Sequence, residues 1–343
     1  MQNHSSMPAV TRRTLLGSAA IVLAGLTSYQ VLAQERSTPD APAASGWMYT
    51  DVLGNTVSLA APPVRIAANL VTAAALWDFG IKVVAVFDST ASAHPDGDHI
   101  AWGNIDASSV VNVGDADGNI LPEALIAVQP DIVLTLTFNP DDPSDTAGVP
   151  PDLAGTIGHI APVLVVTDMD ATDIQLQRLE DIAASLGADL TLPEIAAART
   201  AHDDKIEEFR TVAAEKSALQ VLFIDFDPGE IYIGGPQGVA ELQFLASLGL
   251  KFSNADSEAA GDFWETLSPE QALKYPADVI YNDIYSTLRT TEDLQSNPVY
   301  GAIPAVTAGQ VGLWRRDFPV SYAGVTAFLE DILSTLRTAG KLS

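Results

Sequence analysis

Apolar positions along the chain follow two rhythms, and their alternation predicts most of the elements. Short runs of branched residues read as strands covered on both faces: "VRIAANL" (64–70), "KVVAVFD" (82–88), "DIVLTLT" (131–137) and "VLVV" (163–166). Between them lie stretches with helical spacing. "VTAAALWDFG" is closed by Gly80, residues 153–161 read as a short helix, and residues 171–187 carry Ile174, Leu176, Leu179, Ile182 and Leu186. Ahead of this series, "YTDVLGNTVSL" places two strand-forming runs around Gly54-Asn55, a hairpin signal. Residues 89–120 read as loop.

Residues 192–217 start with Leu-Pro-Glu and contain no internal glycine or proline. They predict one helix of about 37 Å, long enough to cross a domain. The strand rhythm then restarts with "ALQVLFIDF" (218–226), "EIYIGG" (230–235), "DVIYND" (278–283) and "QVGLW" (310–314). A helix at 237–249 ends on Gly249, and another is expected at 321–339. The strand–helix–strand order points to parallel pairing in each half. The fold class is therefore α/β: two Rossmann-like lobes joined by a single long helix, with a ligand cleft between them. The expected division is an export signal at 1–33, a flexible leader at 34–46, an N-terminal lobe at 47–190, the interlobe helix at 191–217 and a C-terminal lobe at 218–343.

One segment occurs twice. Residues 121–134 read "LPEALIAVQPDIVL" and residues 268–281 read "SPEQALKYPADVIY", each a Pro-Glu helix start, a second proline, an aspartate and a strand. A carboxylate in the first turn after proline suits the helix dipole by a few tenths to about 1 kcal/mol, so one such glutamate needs no functional explanation. The recurrence of the segment in both halves is what calls for one.

Composition narrows the function classes. The chain has 343 residues, 47% hydrophobic and 18% charged, and no cysteine. Disulfides, thiolate metal sites, iron–sulfur clusters and a lipid-modified N-terminal cysteine are excluded, and with them the two-lobed metallocluster oxidoreductases. "TRRTLLGSAAIVLAGLTSYQVLAQ" sets Arg12 and Arg13 before the apolar stretch Leu15–Leu26, with small residues leading to cleavage after Ala33. "TRRTLL" resembles a twin-arginine signal, and an ordinary secretory signal is the alternative. The expected location is periplasmic, without a lipid anchor. Removing residues 1–33 takes away two arginines and no acid, so the formal charge moves from −27 to −29. Such a surface repels nucleic acid and anionic membranes.

The signatures GxGxxG after a strand, GxxxxGK[ST], GxSxG and HExxH are absent. "GDADGN" (114–119) echoes a calcium loop without its terminal glutamate and reads as a turn, and His94 and His99 in "HPDGDH" lack a third ligand nearby. No cofactor is expected. Aromatic residues and arginines instead gather at strand ends: Trp102 and Phe138 in the first half, and Trp264, Tyr285, Trp314, Arg315, Arg316 and Tyr322 in the second. Singly, each is as well explained by packing. Facing one cleft together, they suit a large flat ligand held by contact area and by a few hydrogen bonds.

The order of motifs resembles the iron-siderophore and vitamin B12 class of solute-binding proteins of ABC importers. The matching stretches are "DVLGNTVSLAAPPVRIAA", "ALWDFGIKVVAVFD", "NVGDADGNILPEALIAVQPDIVLT", "LPEIAAARTAHDDKIEEF", "GVAELQFLASLGLKF", "WETLSPEQALKYPADVIYND" and "NPVYGAIPAVTAGQVGLW". The resemblance implies a monomer that captures a small ligand and hands it to an ABC permease dimer, with Glu123 and Glu270 docking into arginine pockets of the permease subunits. "DFWE" around Trp264 and "WRRDFPVSYAG" are similar to ferric hydroxamate and ferrioxamine binders. The arginine those binders carry after the "VG" turn is replaced by Asp115-Ala116, and their loop tyrosine by Phe138-Asn139. Ferric tris-catecholates, with about three negative charges, require several converging cations that this chain does not offer, so a neutral or cationic hydroxamate complex is the expected ligand. Cobalamin or haem is the alternative within this class, and a secreted hydrolase the alternative outside it.

Overall fold

A computed structural model describes residues 46–142 and 144–342. The export signal and most of the leader fall outside the described residues. The described residues form one compact unit, built on a small hairpin and two five-stranded sheets. The hairpin is β1 (Trp47–Thr50) and β2 (Thr56–Leu59), paired antiparallel across Gly54-Asn55.

The first sheet follows as β3 (Ile66–Asn69), α1 (Leu70–Asp78), β4 (Ala85–Phe87), α2 (Ser89–Ala93), β5 (Val111–Asn112), α3 (Pro122–Val128), β6 (Ile132–Thr137), α4 (Ala154–Ile160), β7 (Val163–Thr167) and α5 (Thr172–Ser185). Its strand order is β5-β4-β3-β6-β7, all parallel. All six residues of β6 are buried, because helices cover both faces of the sheet and leave no solvated side for alternating polar residues. The order reverses between β3 and β6, so the loops after these strands diverge and open a crevice at their carboxyl ends.

Helix α6 (Pro193–Glu215) runs 23 residues, roughly 35 Å, and leads into the second sheet. That half comprises β8 (Val221–Phe226), β9 (Ile231–Gly234), α7 (Ala240–Ser247), β10 (Trp264–Leu267), β11 (Val279–Asp283), α8 (Thr291–Ser296), α9 (Pro304–Thr307), β12 (Val311–Trp314) and α10 (Tyr322–Leu336). The order is β10-β9-β8-β11-β12, with β8, β11 and β12 parallel and β9 and β10 antiparallel to their neighbours. One buried apolar cluster runs from Ile66 and Leu134 through Ile206 and Phe209 of α6 to Phe223, Tyr281 and Trp314. A core shared by both halves resists large hinge motion. Along its flank, Lys205 bridges Glu208 (2.7 Å) and Glu330 (2.6 Å), tying α6 to α10.

The duplicated segment has a partly structural explanation. Its aspartates do the same work twice: Asp131 Oδ2 accepts from the amides of Val64 (2.9 Å) and Arg65 (2.8 Å), and Asp278 Oδ2 accepts from the amide of Gln220 (2.8 Å). Each therefore fastens the chain entering the neighbouring strand, β3 or β8. The helix expected after Pro269 does not form. Residues Pro269–Gln271 make one 3-10 turn closed by a Ser268/Gln271 capping box. The prolines bounding the segment stand seven residues apart there and eight apart around α3, so Pro276 stops the chain before a second turn. Lys274 and Tyr275 are also drawn aside by Glu265 of β10. Strand β10 is an element that the hydrophobic rhythm does not predict. Trp264 opens it, at the edge of the sheet.

Candidate ligand-binding site

The carboxyl ends of both sets of parallel strands face a common cavity of about 530 Å³, within the usual range for a small-molecule site. From the first sheet come Asn69 at the end of β3, Asp88 after β4, Phe138 after β6 and Asp168 after β7. From the second come Glu241 at the start of α7, Tyr285 after β11, and Arg316, Asp317 and Phe318 after β12. Polar residues stand at these places because the last strand residue hands its backbone groups to a turn or a helix start. Asn69 caps α1 by accepting from the Val71 amide (3.3 Å) and donates to Asp88 (3.0 Å), which in turn caps α2 through the Thr90 amide (2.8 Å). Gly148 completes this wall at φ +69°, with Phe87 carbons 2.6 Å from where a Cβ would stand, so only glycine fits.

Carboxylates dominate the cavity. Asp168 keeps part of its surface open to it, yet burial pushes its pKa up to about 8, helped by the neighbouring Glu241 and Asp317 charges. Glu241 is 9% exposed, and burial pushes its pKa up to about 7 against the stabilising Trp314 indole N–H, which donates at 3.0 Å. The lining cations are already engaged. Arg178 pairs with Asp170 at 2.6 Å, and Arg316 Nε donates to Asp283 at 2.7 Å. Burial pushes Asp283 up to about 6 in spite of that partner. Arg316 is further held by ring faces: its guanidinium carbon lies 5.0 Å from the Tyr285 centroid, 5.2 Å from Trp264 and 6.0 Å from Trp314. Although burial acts to lower its pKa, Asp283 and Asp317 outweigh burial and raise it.

Of the residues singled out in sequence, Phe138, Tyr285 and Arg316 line the cavity together. Phe138 is 48% exposed, an aromatic ring offered to solvent. Trp264 stands behind the wall, stacked edge-on with Phe263 and Trp314 and touching Arg316. Trp314 is fully buried, because β12 runs through the core up to its last residue. Trp102 is 2% exposed and packs in the core, leaving its neighbour Ala101 on the cavity. Arg315 turns the opposite way from Arg316 and pairs with Asp331 at 2.5 Å. Tyr322 lies where α10 meets the first half, its hydroxyl donating to Glu180 at 2.7 Å and its ring against Phe79 and His202. His94 and His99 lie 4.9 Å apart, and His99 stacks on Tyr285 at 5.9 Å. Among the described residues no group of three or more His, Cys, Asp or Glu side chains is placed to hold a metal ion. The 114–119 segment is a turn held by Asp115, which accepts from the Asp117 and Asn119 amides.

Asn69, Asp88, Asp168 and Asp317 are not among the residues the sequence singles out, although Asn69 closes β3, Asp88 and Asp168 directly follow β4 and β7, and Asp317 stands three positions after β12, a place at a strand end being the one signal that marks them. Glu241 had no such signal: in "GVAELQ" it reads as the solvated side of a helix.

Residues 68–317 match the family described as "Periplasmic binding protein". The ferric-siderophore receptor protein DesE of Streptomyces coelicolor is 30% identical and superposes with a TM-score of 0.76 over 87% of this chain and 100% of its own. FhuD of Vibrio cholerae, a siderophore binding protein solved with Fe3+-Desferal, is 17% identical with a TM-score of 0.58, over 80% of this chain and 98% of its own. The siderophore periplasmic binding protein from the fuscachelin gene cluster of Thermobifida fusca is 22% identical with a TM-score of 0.61, over 81% and 97%. No curated protein matches the chain. Among the described residues no helix is long and apolar enough to cross a membrane.

Proposed function

The chain belongs to the periplasmic binding protein family, and from that premise we propose that it is the solute-binding component of an ABC importer that captures a ferric siderophore of the hydroxamate type. The observation that carries the ligand class is the charge of the cavity. Asp88, Asp117 and Asp317 line it beside Asp168 and Glu241, which burial leaves partly protonated at neutral pH, whereas both lining arginines are already paired with carboxylates. At an effective dielectric of about 20, unit charges 4 Å apart interact by about 4 kcal/mol. A complex of about three negative charges meets repulsion in such a site, and a neutral or cationic one does not. Phe138 and Tyr285 supply contact area for the organic arms, and the outward N–H groups of Arg316 supply hydrogen bonds to the metal-bound oxygens. Trp264 and Trp314 act from behind, through Arg316.

Delivery follows from the duplicated segment. Glu123 and Glu270 are both exposed and stand on different halves of the molecule. We assign them to docking on the two subunits of the permease. The protein is a monomer of the periplasm, reached by export through the N-terminal signal, and it grips its cargo without transforming it.

Titration of intrinsic tryptophan fluorescence tests the ligand class. Ferrioxamine B is expected to quench at micromolar concentration or below, and a ferric tris-catecholate is not. Saturable quenching by the catecholate alone, or by cobalamin alone, overturns the assignment.

A further inference from the structure

The duplicated segment repeats a surface pattern as well as a sequence. From Leu121 to Ala127 the residues are exposed, half-buried, exposed, half-buried, buried, exposed, exposed; from Ser268 to Lys274 they differ at the fourth position alone. In both copies the exposed glutamate is followed three residues later by an exposed aliphatic side chain. Ile126 is 56% exposed and Leu273 58%. In the first copy that spacing puts Glu123 and Ile126 on one face of α3; in the second, Glu270 stands in the 3-10 turn and Leu273 in the turn that directly follows it. The buried residues between them, Leu125 and Ala272, pin each turn to its own half.

The two copies lie at equivalent ends of their sheets. Helix α3 runs back toward the start of β6, so Pro122 and Glu123 sit at the carboxyl end of the first sheet. Strand β10 runs parallel to β8, two antiparallel steps away, and its carboxyl end leads directly into Pro269 and Glu270. Those are the ends that face the cavity.

Neither carboxylate is neutralised from within. Glu123 makes no ion pair among the described residues, and the nearest cation to Glu270 in sequence, Lys274, pairs with Glu265 instead. An unpaired acid beside an uncovered aliphatic group is complementary to a cation beside an apolar recess. Two equal copies are complementary to a partner with two equal subunits.

We infer that Ile126 and Leu273 are apolar anchors, one per half, that enter matching recesses beside the basic pockets of a two-fold permease. This rests on the docking reading of Glu123 and Glu270 and adds to it the contact that supplies affinity. The charges steer the approach and respond to salt, whereas the aliphatic pair acts by desolvation and does not.

Two double variants separate the two readings: Ile126→Ser with Leu273→Ser, and Glu123→Ala with Glu270→Ala. All four positions are exposed, so folding is retained, and ferrioxamine B titration checks that the cavity is intact. Docking is measured as stimulation of ATPase activity in proteoliposomes holding a siderophore ABC importer that the unaltered chain stimulates. The aliphatic variant is expected to raise the half-saturating concentration about tenfold or more with an unchanged salt dependence, and the glutamate variant to flatten the salt dependence. If the aliphatic variant docks like the unaltered chain while the glutamate variant fails, the anchors are refuted and the docking reading stands. If neither variant alters docking, both fall. If only one of Ile126 and Leu273 matters when changed singly, the two-fold correspondence is refuted.

Discussion

Changing Glu241 to glutamine is expected to stabilise the protein, and only at neutral to alkaline pH. Glu241 is 9% exposed and its pKa stands at about 7 in the folded chain, against 4.5 for the unperturbed group, chiefly because burial disfavours the charged form. The sign follows from proton uptake. Between pH 4.5 and 7 the folded state holds a proton that the unfolded state has released, so stability falls as pH rises through that window. Below it, both states are protonated and the side chain costs nothing extra. Above it, the folded state carries a charge that its surroundings oppose, and a shift of about 2.5 pH units corresponds to about 3 kcal/mol. Glutamine has nearly the same shape as the neutral acid and keeps an oxygen to accept from the Trp314 indole N–H, which lies 3.0 Å away. It carries no charge at any pH. Thermal or urea unfolding of both proteins, followed by circular dichroism from pH 4 to pH 8, gives the comparison. The variant is expected to match the parent at pH 4 and to exceed it by about 3 kcal/mol at pH 8, roughly 5 °C for a chain of this size. Relief of Asp168, whose raised pKa counts Glu241 among its causes, acts in the same direction. A variant less stable than the parent at pH 8, or a difference independent of pH, refutes the argument that the cavity holds this carboxyl against its charge.

Other perturbations separate contact from support. Phe138→Ala, at a side chain 48% exposed, is expected to leave the unfolding midpoint within about 0.5 kcal/mol while weakening ferrioxamine B binding by more than about 1 kcal/mol in fluorescence titration. Arg316→Ala leaves the Asp283 side chain, 0% exposed, buried without its partner, so urea unfolding is expected to register a loss of about 3–5 kcal/mol together with loss of ligand binding. Arg315→Ala, by contrast, is expected to leave ligand binding unchanged, since that side chain is turned to Asp331. Gly148→Ala is expected to destabilise, because the left-handed backbone and Phe87 both oppose a Cβ there; thermal unfolding reads the effect.

Hydrophobic rhythm alone located nearly every strand and long helix, and the fold class with them. The reason is that a two-sided parallel sheet demands unbroken apolar runs such as Ile132–Thr137, and a helix spanning both halves demands a long stretch free of glycine and proline such as Pro193–Glu215. These are local requirements, written in consecutive residues. The duplicated Pro-Glu segment was also visible in order and spacing, along with the acidic balance that disfavours an anionic ligand.

Tertiary structure decided which side chains share the cavity. Trp314 and Arg316 stand two positions apart, yet one is core and the other lines the cavity, because β12 ends between them and the chain turns. Adjacent Arg315 and Arg316 point to opposite partners for the same reason. The acidity of the cavity comes from residues more than 200 positions apart, Asp88 on one half and Asp317 on the other, which meet only when the carboxyl ends of two sheets face each other. Burial, and with it the raised pKa values of Asp168 and Glu241, is a property of that assembled neighbourhood, and no window of sequence contains it.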